Sequence, residues 1–396
     1  MIYIFSTLFP TAIFVIILTL ITTWACLKLI CLSNANHFKY FYVSSGKSTT
    51  NARLLGGLAI SVAMIFSISS LFLVNIQSIS LTEQKILLMA IVSISLVTFY
   101  GYFDDKYEVR VRYKLTLQLL SVLSFSYLNA PALSPGHRLI AFFISSIFGL
   151  AFVNGANLLD GLDSLSVKLG ITSSMAFLYL SFIAQSPASI YLSLVLISSL
   201  SVFYFFNREP AKIYMGEIGG SLIGLTFFVQ SSICFSQLKF QMNHLSALAL
   251  VLIAGCSPLC ELGISCLRRI WFKKSPFAGD KLHLHYVVKN KYKLSANSVS
   301  SRMGIANFIL LGLGFSIAQF YNPVIAVILV IAITIITYLW FSIAEWRSAY
   351  LAKETENLFK VFEGKTVNII DSTDFGSLNI SVSELNKNIS EKKKSA

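Results

Sequence analysis

Charge is what this chain has least of. Only 12% of its 396 residues are Asp, Glu, Lys or Arg, where a soluble protein carries roughly a quarter. With 55% hydrophobic residues and a mean hydropathy of +0.72, a soluble fold is excluded and an integral membrane protein is implied. No stretch is left for a large soluble domain. Acids are scarcer still, 18 against 31 Lys and Arg. That +13 balance does not imply nucleic acid as a partner, because the position of the cations explains it better. Cysteine is sparse: Cys26, Cys31, Cys234, Cys256, Cys260 and Cys266 lie in or at the ends of apolar runs, where a thiol behaves as a small apolar group. Cys256 and Cys260 share a helix face without a histidine or carboxylate cluster, so neither disulfide nor metal is assigned. The first apolar run lacks a basic start and a small-residue cleavage site, and reads as a retained helix, not a signal peptide.

What is abundant is the apolar run of about 20 residues, long enough to cross a bilayer as a helix. Eleven spans are expected, near 3–32, 55–80, 85–103, 115–130, 139–156, 170–186, 188–206, 219–235, 245–267, 304–320 and 324–344. The fold class is therefore all-α, polytopic and membrane-embedded. All Lys and Arg except Lys85, Arg138 and Lys239 fall in or beside the loops after the odd-numbered spans, or in the C-terminal tail. By the positive-inside rule these are cytoplasmic, the N-terminus is outside and the C-terminus inside. The opposite loops are short, as in Gln185-Ser-Pro-Ala-Ser189 and Tyr321-Asn-Pro323. Two domains follow: a polytopic one over 1–344, and a polar, partly disordered cytoplasmic tail over 345–396. The lysines closing that tail suit an anionic lipid surface.

The unusual polar residues lie at the cytoplasmic rim. Asp104 and Asp105 end the third span, followed by Lys106, Arg110, Arg112, Lys114 and, one turn into the next run, Gln118. Adjacent carboxylates repel unless a divalent cation or a proton relieves them; alone, the pair also reads as a solvated helix end. Lys47 with Arg53-Leu-Leu-Gly-Gly57 could meet phosphate, although by itself it fits an ordinary basic loop. In Asn154-Gly-Ala-Asn-Leu-Leu-Asp-Gly-Leu-Asp-Ser164, amide and acid recur every three residues. On a straight helix that series drifts by about 60° per step, so an interrupted helix is expected, bent at Gly155 and Gly161 around a wet cavity. Asn207 opens the next segment. Within it Glu217, between glycines at a helix start, can supply a hard oxygen ligand. Nine Lys and Arg surround His283 and His285 between Arg268 and Arg302. No cysteine and few acids accompany the histidines, so phosphate or sugar contact is favoured over zinc.

Taken in order, these motifs resemble the polyprenyl-phosphate N-acetylhexosamine-1-phosphate transferases of glycosyltransferase family 4. The likeness runs from about Lys47 to Tyr286. It rests on Asp104, Asp105, Lys114 and Gln118, on Asn154, Asn157, Asp160, Gly161 and Asp163, on Asn207 to Ser221, and on His283-Leu-His-Tyr286. Four features depart from the family pattern: Glu217 where it has a metal-binding Asp, Ser164 for Gly, Tyr286 for a last His, and Arg53 one position further from Gly56 without its proline.

The resemblance implies a Mg²⁺-dependent enzyme, with Mn²⁺ as a substitute, in a bacterial inner membrane. It would move a HexNAc-1-phosphate from a UDP-sugar to undecaprenyl or another polyprenyl phosphate, release UMP, and start a lipid-linked glycan such as O-antigen. It implies Asp104, Asp105, Asp160 and Asp163 as catalytic acids, with Glu217, Asp105 and Asp163 as metal ligands. Lys47, Lys114, Asn154, Asn157, Asn207, His283 and His285 would bind substrate. A homodimer is compatible with it. The other readings are a secondary transporter, whose polar residues should sit at mid-membrane in repeated halves, and a family member impaired by Glu217.

Overall fold

The computed structural model describes residues 2–33, 42–43, 52–74, 79–107, 109–129 and 135–370. Lys47 and the last part of the tail, 371–396, lie outside these residues. The chain divides into two compact units, Met1–Ile343 and Ala344–Ala396.

The elements run α1 (Ile2–Leu32), β1 (Tyr42–Val43), β2 (Ala52–Leu54), α2 (Gly56–Val74), α3 (Leu81–Tyr107) and α4 (Val111–Asn129). Then come α5 (Pro135–Leu158), α6 (Leu165–Ile183), α7 (Pro187–Asn207), β3 (Ile213–Tyr214) and α8 (Gly216–Leu238). The last are α9 (His244–Ala254), α10 (Cys256–Trp271), α11 (Leu284–Tyr292), α12 (Ala296–Phe320) and α13 (Pro323–Ile370). Among the described residues nine helices are long and apolar enough to cross a membrane, and a bent pair makes ten. The chain is thus an all-α, multi-pass membrane protein.

Every expected span coincides with a helix, with two corrections. The fourth, α4, falls short of the apolar test: Arg112 and Lys114 open it, and Gln118 and four serines or threonines follow. At 19 residues it is still about 28 Å long, and it packs between α3 and α5. The ninth is two helices, α9 and α10, bent by 82° at Gly255. Pro258 lacks the N–H a continuous helix would need but is tolerated in the first turn of a new one. At the far end, the polar run from Ala344 holds no glycine or proline before Gly364. It continues α13 as helix to Ile370, because polarity weakens burial without weakening helix propensity.

Helix α8 is the axis of the first unit, packing against α2, α3, α4, α5, α6, α7 and α9. Close crossing needs small residues, since lipid supplies no hydrophobic drive between helices. A Cβ on Gly57 of α2 would lie 2.2 Å from the Gly219 backbone nitrogen of α8. Gly57→Ala should therefore cost about 3 kcal/mol, the upper part of the range for overpacking, read as a lowered thermal midpoint in detergent. A small sheet anchors the same end. β2 pairs antiparallel with β1 and parallel with β3, Arg53 opposite Ile213, and the Gly57 N–H donates to Met215 O at 2.8 Å. The starts of α2 and α8 are thereby clamped together.

The ends of α3, α5 and α7 and the starts of α2, α4, α6 and α8 share that end of the bundle. Among the described residues the opposite end holds one buried acid, Glu83, at the start of α3. It accepts from Ser186 Oγ at 2.9 and 3.0 Å and from the Ala188 N–H at 2.7 Å, capping the N-terminus of α7 where negative charge is favoured.

Candidate functional site

Asp104 and Asp105 are neighbours in sequence but, about 100° apart on α3, take different partners. Asp104 Oδ1 accepts from the Val109 N–H at 2.8 Å, and its Oδ2 lies 3.1 Å from Lys114 Nζ. Asp105 reaches across to the N-terminus of α8, accepting from the backbone N–H of Glu217 at 2.8 Å and of Ile218 at 3.4 Å. The anion-favouring helix start is thus filled by the protein's own carboxylate. Gly216 has φ +72°, and a Cβ there would meet Asp105 Oδ2 at 2.7 Å, so glycine is required on both counts.

Glu217 completes the group. Its Oε2 lies 2.5 Å from Lys114 Nζ and accepts from Asn157 Nδ2 at 3.0 Å. Asn157 also donates to Ser221 Oγ at 3.0 Å. One ammonium therefore bridges Asp104 and Glu217 while Asp105 orients the turn that carries Glu217. Helices α3, α4, α5 and α8 each contribute a side chain.

The Asn/Asp series is divided as its spacing required. Asn154 and Asn157 lie on the last turns of α5, and Asp160 and Asp163 in the turn before α6, whose first cap, Ser164, has φ 60°. Gly155 is not the bend: it is helical, and its missing side chain admits the Pro258 carbonyl. Asn154 donates to Gln118 Oε1 at 3.0 Å and Leu150 O at 2.9 Å. Asp160 accepts from Ser166 Oγ at 2.5 Å; burial first, then Glu217 and Asp163, push its carboxyl up to about 6. Asp163 accepts from the Ala211 N–H at 3.1 Å, and burial raises its pKa, with Glu209 adding to the rise and Lys289 opposing it. Among the described residues no hydrogen bond or ion pair joins Asp163 to Asp105 or Glu217. Asn207 is buried, accepting from the Ser164 N–H at 2.9 Å and donating to Ile213 O at 2.9 Å; it braces two loops.

The histidine segment packs on the same turn. His283 Nδ1 lies 2.6 Å from Glu261 Oε1. The His285 ring is fully buried, its two nitrogens have no hydrogen-bond partner among the described residues, and burial lowers its pKa to about 4. Asp280 is held by Arg268 at 2.8 Å and Arg269 at 3.1 Å; burial opposes its charge, but the two guanidiniums keep its pKa below the usual carboxylate range. Sequence reasoning missed Glu261, Asp280 and Ser166. For Glu261 the signal existed, an acid inside an apolar run; for Ser166 there was none.

Among the described residues no three Asp, Glu, His or Cys side chains form a ready-made metal cluster. Asp104 and Glu217, joined through Lys114, and Asp105 on the same helix start offer hard carboxylate oxygens. Magnesium is ordinarily held by one or two carboxylates plus substrate phosphates, so the donor chemistry fits that ion without a protein-only cage.

Residues 86–235 match the family model described as glycosyl transferase family 4. This stretch carries Asp104, Asp105, Lys114, the Asn/Asp series and Glu217. A Bacillus subtilis protein with the provisional name undecaprenyl-phosphate N-acetylglucosaminyl 1-phosphate transferase is 26% identical over 67% of this chain and 71% of its own length. A Saccharolobus solfataricus protein, provisionally a UDP-N-acetylglucosamine–dolichyl-phosphate N-acetylglucosaminephosphotransferase, is 31% identical over 43% of this chain and 55% of its own. The decaprenyl-phosphate N-acetylglucosaminephosphotransferase of Mycobacterium leprae is 29% identical over 48% and 55%. The chain thus spans about half the length of the last two.

Proposed function

We propose that the chain is a member of glycosyl transferase family 4, whose model matches residues 86–235, and that it transfers a HexNAc-1-phosphate from a UDP-sugar to a polyprenyl phosphate, releasing UMP. The observation that carries this reading is the meeting of Asp104, Lys114, Asn157 and Glu217 at the start of α8, with Asp105 seated on that helix end. Such a cluster suits phosphoryl transfer, where catalysis is mostly alignment and charge stabilisation.

A phosphate monoester loses its second proton near pH 6, so the lipid acceptor is already a dianion near neutrality. Its oxygen attacks the β-phosphorus, the bond from that phosphorus to the oxygen bridging the α-phosphorus breaks, and UMP leaves with the electron pair. No proton need be removed, so no strong base is required. Lys114 meets developing charge on the phosphoryl oxygens. Asn157 holds Glu217 in place, and Asp105 fixes the α8 turn that bears it. His285, neutral and fully buried, packs against the turn that carries Asp160, so its part in holding the diphosphate or sugar is to fix that turn. Glu217 and Asp105 would hold the Mg²⁺, with Asp160 and Asp163 behind them; when bound it supplies Lewis-acid neutralisation of phosphate charge.

The lysine and arginine bias supports placing this end at the cytoplasmic face of a bacterial inner membrane, where UDP-sugars are found. Start of an O-antigen or another envelope glycan follows from the lipid product. The helices that supply Asp104, Lys114, Asn157 and Glu217 belong to one chain, so the cluster forms with or without a homodimer. The transporter reading is weaker because the acids lie at one end of the bundle.

Purified protein with UDP-GlcNAc, UDP-GalNAc, polyprenyl phosphate and Mg²⁺ should release UMP with at least one sugar. Glu217→Gln should lower that rate at least 100-fold, while Glu217→Asp should stay within about tenfold of wild type, because the carboxylate moves by one methylene. No UMP with any UDP-HexNAc would remove the proposal.

A further inference from the structure

Glu261 stands in the middle of α10 and is 0% exposed. A carboxylate in such a place needs a charged or strongly donating partner. It has several. Oε1 lies 2.6 Å from His283 Nδ1 and accepts from Ser265 Oγ at 3.3 Å, and Oε2 accepts from the Tyr338 hydroxyl of α13. The segment leading into α11, the kinked α10, and α13 therefore meet on one carboxyl group.

We infer that Glu261 is a positioning residue for the two histidines: it holds His283 in the form protonated at Nδ1, and through the stacked rings sets His285 against the turn at 159–163. The inference rests on the transferase reading for its activity readout only. A carboxylate facing Nδ1 accepts and cannot donate, so the proton is fixed on that nitrogen. Nε2 then points to the other side, 3.8 Å from Asp280 Oδ1, where Arg268 and Arg269 also converge. The His285 ring lies parallel to that of His283, with centroids 5.6 Å apart and 5° between planes. The Tyr286 ring lies 4.4 Å from it, tilted by 49°, and 6.4 Å from the His283 ring. His285 Nε2 comes so near Gly161 that a Cβ there would lie 2.2 Å away. A ring wedged between His283, Tyr286 and a glycine has one place to be, and Glu261 fixes the first of those walls. Thus an acid buried in α10 sets the orientation of a ring beside Asp160.

Histidine labelled with ¹⁵N tests this directly, since the chain has only five histidines. The expected wild-type spectrum holds one ring locked with Nδ1 protonated, assigned to His283 by its loss in His283→Asn. In Glu261→Gln, which keeps size but can donate as well as accept, that signal should shift toward a tautomer mixture. UMP release should fall about 10–100-fold, the usual scale for removing an outer carboxylate behind a functional histidine. Glu261→Asp should recover part of the rate. Tyr338→Phe removes only a hydroxyl and should give a smaller loss of the same kind, which keeps the test available if Glu261→Gln does not fold. An unchanged His283 signal or an unchanged rate in folded Glu261→Gln overturns the inference. A wild-type chain silent toward every UDP-sugar overturns the transferase reading and leaves the spectrum to decide this one.

Discussion

Lys114→Met should lower turnover by 100-fold to 1,000-fold and also destabilise the protein. The ammonium lies 3.1 Å from Asp104 and 2.5 Å from Glu217. Hydrogen bonds to charged groups contribute about 1.5–3 kcal/mol each, so losing two places the effect near 3 kcal/mol or above, after allowance for the partly exposed Glu217. The loss is not only of attraction. Methionine fills the volume but leaves Asp104 and Glu217 facing Asp105 with no cation between them, and like charges crowded in a low-dielectric site repel. Lys114→Arg should lie between, about tenfold below wild type, because a planar fork cannot take the place of a compact point charge bridging two separate acids. Steady-state UMP release with thermal melting in the same detergent checks both parts. Turnover of Lys114→Met within threefold of wild type would mean that the bridge is not at the reacting centre.

Asp160→Asn should have effects of opposite sign on stability and activity. Burial holds this carboxyl near 6, above its value of roughly 4 in an unfolded chain. Between about pH 4 and 6 the folded state binds more protons than the unfolded one, so stability falls as pH rises through that window, and the ionised group opposes folding at neutrality. The amide removes the charge yet keeps an oxygen to accept from Ser166. The variant should melt a few degrees higher at pH 7 and show a flatter dependence of melting on pH between 4 and 6. Turnover should nevertheless drop at least 100-fold, since acids kept under strain of this kind cluster where chemistry happens. The pH–rate profile alone would not separate causes, because the acceptor phosphate titrates in the same range. Melting does. A variant that melts lower at pH 7, or that turns over normally, contradicts this assignment.

Both residues were visible in the sequence, and so was most of the scaffold. Apolar length and the distribution of cations located each of the long apolar helices, because a bilayer demands both, but not the short α11 within the basic loop. The 82° break at Gly255 was not anticipated: Gly255 and Pro258 lie within a run apolar enough to read as one span, and hydropathy carries no angle. Asp104 and Asp105 were read as a pair, whereas the helix turns them to different neighbours. Asn207 reads in the sequence as a ligand-binding amide, and its bonds to Ser164 and Ile213, which join two loops, exist only after folding. Glu261 escaped notice because its partners, His283 and Tyr338, come from positions 22 and 77 residues away.

The burial of α8 has a consequence for how the protein tolerates its surroundings. Of its apolar window 89% is covered by protein, whereas for α13 the figure is 22%. Hydrophobic mismatch with a thinner or thicker bilayer is absorbed by tilt of lipid-facing helices, and α8 has almost no face on which lipid can pull. The acid it carries should therefore keep its register with α3, α4 and α5 in short-chain and long-chain vesicles alike, leaving acyl length to act on the lipid-facing helices and not on the site itself.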